Sequence, residues 1–156
     1  MTVPPKTPFV KSVRHAAFGD PYQFHAEVAP CGTLCEGVSN VLVGVTRTLV
    51  FRLPRKKEAA PASCMPVILV PSEAEVGASS PVVAAANVGR GRMLFCTDTQ
   101  MFQPFRIEHD DNANLLVNTV GWLTGRPVDS AIRAKFRAIL FLSEKDFGVI
   151  AQEDAR

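Results

Sequence analysis

No stretch of this chain approaches the roughly 18 consecutive apolar residues that a membrane-crossing helix needs, so no membrane insertion is expected. Charge of one sign is scarce too. The 17 Lys and Arg against 15 Asp and Glu leave +2, too little to call for nucleic acid or an acidic membrane surface. The opening segment MTVPPKTPFVKSV has no apolar run of the secretory kind, which points to a cytoplasmic protein. A G-x-S-x-G nucleophile elbow is missing, and so is the Gly-Lys-Ser/Thr end of a phosphate-binding loop. His15, His25 and His109 have no acidic partner at a diagnostic spacing. These absences leave no catalytic residue and no cofactor to assign.

What is present is an ordinary globular composition over 156 residues, enough for one domain with its own core. The expected organisation is a proline-rich flexible arm at 1–8, a single α/β domain at 9–150 and a flexible tail at 151–156. Alternation of Tyr22, Phe24 and Val28 reads as an edge strand. Val41, Val43 and Val45, followed by Leu49 and Phe51, read as one or two more. The charged stretch Pro54 to Pro66 reads as a loop, and MPVILV at 65–70 as a central strand covered on both faces.

PVVAAAN and RMLFCT flank Val88-Gly89-Arg90-Gly91, which predicts a β-hairpin over 81–97. Gly89 and Gly91 are turn residues on this reading and not an anion cradle, since no third glycine opens a helix behind them. Asp111 or Asn112 is expected to cap a helix whose buried face carries Leu115, Leu116, Thr119, Val120 and Leu123. Gly125 and Pro127 end it, and a second helix is expected over 129–142.

Four cysteines, at 31, 35, 64 and 96, are expected to be reduced thiols in a chain with an adequate core. Cys31, Cys35 and His25 make too loose a set for zinc, because structural sites use closer ligand pairs. No metal site is assigned. The densest polar cluster is Asp98, Glu108, His109, Asp110 and Asp111, and the candidate ligand-binding residues drawn from and beside it are Asp98, Gln100, His109 and Asp110. Asp98 follows an apolar strand, where α/β sheets commonly place ligands.

PVVAAANVGRGRMLFCTDTQMF and DDNANLLVNTVGWLTG together resemble the glutamine-amidotransferase-like GIFT domain (DUF4350), found in bacterial proteins and in an intraflagellar-transport B-complex subunit. The likeness spans about residues 28–125. It rests on Gly89, Gly91 and Arg92 before a strand ending in Thr97-Asp98, on Asp111-Asn112 opening a helix, and on Trp122-Leu123 closing it. Upstream, Pro30 to Val38 is similar to that family's His-Pro-x-Thr-x-Gly-Val segment, with cysteine in place of the histidine-proline part.

The resemblance implies a flavodoxin-like, class I amidotransferase-like fold without the nucleophile. The expected sheet is twisted, mixed and mostly parallel, with the 81–97 hairpin and two C-terminal helices. It is incomplete, because residues 1–27 are too few for the family's earlier βα units. The implied function is a non-catalytic protein-interaction or ligand-binding domain within a larger assembly, its partner another protein or a second copy. The alternative is an enzyme or carbohydrate-binding domain with a polar site at Asp98, His109 and Asp110, taking a small-molecule ligand.

Overall fold

The computed structural model describes residues 7–50, 63–98, 100–126 and 128. Six strands and two helices follow in order: β1 (Ala16–Ala17), β2 (Asp20–Val28), β3 (Val41–Val43), β4 (Ser63–Leu69), β5 (Pro81–Val88), β6 (Gly91–Cys96), α1 (Pro104–Ile107) and α2 (Asn112–Thr124). A short 3-10 turn spans Gly32–Cys35 between β2 and β3. The sheet order is β1-β2-β4-β5-β6, with β3 paired to β2.

Every pairing among these strands is antiparallel, which overturns the expected mostly parallel, amidotransferase-like sheet. The physical reason lies in the connections. A parallel pair needs a crossover of a dozen or more residues, usually helical, whereas β5 and β6 are joined by a two-residue turn. The expected second helix at 129–142 lies outside the described residues, as do most of the arm and all of the tail.

β2 is no edge strand, for it pairs with β1, β3 and β4. Its alternation sends Phe24 and Ala26 into the core and leaves Gln23, His25 and Glu27 on the opposite face. In β4, Pro66 cannot donate to a ladder, and the register shifts between Pro66 and Ile68. In β5, Val82 to Ala86 are all buried, and the small alanines allow close approach from both faces. Gly89 turns the chain into β6 at φ 57. A glycine with positive φ at the first central position is what a type II′ hairpin turn requires.

The core gathers Val10, Phe24, Leu34, Ile68, Met101 and Leu115. α2 packs into it differently from the apolar pattern of its sequence. Leu115 and Thr119 are buried, but so are Asn112 and Asn118, while Val120 and Leu123 are exposed. Gly125 closes the helix in the left-handed region at φ 69, its N–H reaching back to Gly121 and Trp122.

Candidate functional site

The segment from Asp98 to Asn118 closes over the stretch from Leu34 to Gly44, and the fastening is done by Asp and Asn side chains. β3 pairs with β2 along one side, so its other side presents the backbone groups of alternate residues 40, 42 and 44. Each is met by a side chain. The Gly44 N–H donates to Asp98 Oδ2 at 2.7 Å. The Leu42 N–H donates to Asn112 Oδ1 at 2.9 Å, and Asn112 Nδ2 donates back to the Leu42 carbonyl at 3.0 Å. The Asn40 N–H donates to Asp111 Oδ2 at 3.3 Å, while the Asp111 N–H donates to the Asn40 carbonyl at 3.0 Å.

Asn112 therefore stands where a neighbouring strand would, presenting one donor and one acceptor to Leu42 as a backbone amide does. It is wholly buried, and its Nδ2 reaches the Met101 and Arg106 carbonyls as well. Farther along α2, Asn118 Nδ2 donates to the Leu34 and Glu36 carbonyls at 3.2 and 2.8 Å. The expected capping role of Asp111 and Asn112 is corrected here. Asp111 is the N-cap residue of α2 but makes no side-chain cap hydrogen bond. A carboxylate already accepting from the Ser39 N–H and hydroxyl at 2.8 and 2.9 Å is committed across the fold.

Burial alone would raise the pKa of Asp111. Hydrogen bonds from the Ser39 N–H and hydroxyl, the Asn40 N–H and the Asn114 amide outweigh that and hold the carboxyl below the ordinary Asp range.

Of the four candidate ligand-binding residues, Asp98 and Gln100 stay together. The Gln100 N–H donates to Asp98 Oδ1 at 2.8 Å, so both Asp98 oxygens serve backbone groups. Asp98 is only 3% exposed. The crevice beyond the carboxyl ends of parallel strands, which made it attractive, has no counterpart in an antiparallel sheet. Beside it, a Cβ on Gly44 would lie 2.7 Å from Cζ of the buried Arg106, so a side chain there would displace the guanidinium.

His109 and Asp110 are exposed, and the structure joins Asp110 to a residue that spacing did not point to. His25 Nδ1 lies 2.7 Å from Asp110 Oδ2, across 85 residues of sequence. Asn40 Nδ2 is 3.3 Å from the same ring nitrogen. The His109 ring meets Phe18 edge-on, with centroids 5.2 Å apart, and Phe18 is 71% exposed. Phe18 and Asp110 both hold positive φ, at 54 and 49, a region uncommon for non-glycine residues though more accessible to Asp. No sequence signal could have found His25, because the β2–β3 pairing is what brings it to Asp110.

Chemically, the patch offers an acid-held imidazole and an aromatic face. Among the described residues no serine or cysteine is hydrogen-bonded to His25. No group of three or more His, Cys, Asp or Glu side chains converges there as a metal site either.

Cys31 and Cys35 are joined to each other as a disulfide, which corrects the expectation that all four cysteines are reduced. Cys64 and Cys96 are free. Burial pushes the Cys96 thiol up to about 11, against an opposing hydrogen bond to Asp98. No helix among the described residues is long and apolar enough to cross a membrane.

The chain matches no known family model, no curated protein and no solved structure.

Proposed function

We propose that this chain is a non-catalytic interaction domain that associates through the outer edge of β6. The observation that carries this reading is the backbone of that strand, unpaired on its outer side among the described residues. The Thr97 N–H donates inward to Val82, so by alternation the backbone groups of Arg92, Leu94 and Cys96 point away from β5. Among the described residues none of them has a partner on that side. Exposed apolar side chains lie along it, with Met93 45% exposed and Val88 beside it on the same face 48% exposed. Beyond Arg92 the strand is apolar from Met93 to Cys96, and an edge of that kind without a proline or a bulge is a template for strand addition.

The likeness of about residues 28–125 to a domain class without a nucleophile supports a non-enzymatic role, and a cytoplasmic location goes with it. Sedimentation of the full chain is expected to show association, with Met93→Lys shifting it to monomer while far-UV circular dichroism stays the same. A wild-type chain that is monomeric at high micromolar concentration would sink this reading.

A second reading is favoured by the His25–Asp110 pair, namely a small polar ligand such as a sugar held at Asp110, His25 and His109. Thermal-shift screening against a saccharide panel tests it. A stabilising sugar whose effect disappears in Asp110→Asn is the expected signature, and a flat panel argues against it.

A further inference from the structure

We infer that Cys31 and Cys35 form a reversible thiol–disulfide exchange site that takes a low-molecular-weight thiol from the groove beside them. This stands apart from the β6 edge and from the His25 patch. The groove is an open depression of about 370 Å³ lined by Val28, Pro30, Cys31, Cys35, Val38 and Ser39. Its volume falls within the range of small-ligand sites, roughly 300–1,000 Å³. Among the described residues its lining carries no charged side chain to repel or fix an approaching thiolate, so the sulfurs are its reactive feature.

The two cysteines are unequal. Cys31 is 6% exposed and belongs to the core cluster, whereas Cys35 is only partly buried. An entering thiolate therefore reaches Cys35 Sγ. The new S–S bond forms there, the Cys31–Cys35 bond breaks, and Cys31 leaves as thiolate and takes up a proton. A second thiol then attacks the sulfur of the bound reagent, releasing Cys35 as thiol and the reagent as its own disulfide. Two reagent thiols are oxidised and one protein disulfide is reduced. The reverse sequence, with the reagent's disulfide as oxidant, restores the bond.

Reversibility needs a scaffold that survives reduction, and the turn has one. Leu34 is fully buried between the two cysteines. Asn118 holds the Leu34 and Glu36 carbonyls, Asn114 Nδ2 donates to the Gly37 carbonyl at 3.2 Å, and the Val38 N–H donates to the Cys35 carbonyl at 3.1 Å. None of these contacts uses sulfur. With the Cα atoms 5.4 Å apart and held from both sides, the reduced pair stays in position to close again. In a reducing compartment, a disulfide of this kind is typically transient and redox-responsive.

The test uses the full chain carrying Cys64→Ser and Cys96→Ser, equilibrated in reduced and oxidised glutathione mixtures, acid-quenched, alkylated and weighed. Both remaining thiols are expected to open and close together in one reversible transition, with unchanged far-UV circular dichroism. Adding Cys31→Ser should give a chain carrying one glutathione on Cys35. Adding Cys35→Ser should leave Cys31 unmodified until urea unfolds the chain. Should either variant fail to fold, the native rate of reduction by dithiothreitol decides: reduction without unfolding upholds the site. Reduction only in urea, thiols that stay free in oxidising buffer, or equal modification of the two single variants would overturn it.

Discussion

β3 and β6 each pair with a neighbouring strand on one side, and they differ in what meets the other side. Along β3, residues 40, 42 and 44 meet Asp111, Asn112 and Asp98, so the backbone groups turned away from β2 are taken by side chains. Along β6, the backbone groups of residues 92, 94 and 96 that turn away from β5 have no hydrogen-bond partner among the described residues. The difference shows how a sheet edge can be finished without another strand. A short amide or carboxylate side chain mimics a backbone partner, and several in a row seal an edge as a strand would. Where such side chains are missing, the edge remains available to another molecule.

The largest effect is expected from breaking the sealed side at its most buried point. Asn112→Ala deletes every side-chain bond that this residue makes and strands the Leu42 N–H and carbonyl in the core, a loss of about 3 kcal/mol or more. Urea unfolding measures it, and a loss below about 1 kcal/mol would show that water replaces the amide easily.

Asp98→Ala leaves the buried Gly44 N–H without its acceptor and is expected to cost about 2 kcal/mol. An unchanged unfolding midpoint would move Asp98 from the fold to some other role.

Acid sharpens the comparison more gently. The folded Asp111 carboxyl sits below the ordinary Asp value of 3.8. Its contribution is therefore complete above that value and is lost as pH falls through the lower folded one. Thermal unfolding followed from pH 6 to pH 2 should slope more steeply in the wild-type chain than in Asp111→Asn; identical slopes would contradict the assignment.

At the open edge the stability change should nearly vanish. Met93 is 45% exposed, so Met93→Lys should alter unfolding of the monomer by no more than about 0.5 kcal/mol while removing association. A large destabilisation would mean that β6 is covered after all.

Features set by neighbours in the chain were legible. Gly89 between two apolar runs marks a hairpin because positive φ is needed within the two-residue turn itself. Gly125 marks a helix end for the same local reason. The buried face of α2 was misjudged because a polar residue counts as outward in an apolar pattern, and Asn112 and Asn118 are inward. Their burial is possible only because the stretch from Leu34 to Leu42 brings unpaired backbone for them to bind.

Asp98, Gln100, His109 and Asp110 were conspicuous as a polar cluster, but their partition was not. Asp98 faces Gly44 and Asp110 faces His25, partners 54 and 85 residues away.

By itself, then, the sequence determined the local turns, the helix end and the polar richness of the loop after β6. These depend on φ preferences and side-chain chemistry within a few residues. Only the tertiary structure decided that the strands run antiparallel, that β3 is sealed by side chains, that the outer edge of β6 is unpaired among the described residues, and that Cys31 is bonded to Cys35 beside a groove. Those outcomes depend on which distant backbone groups are brought within hydrogen-bonding reach, and no local pattern encodes that distance.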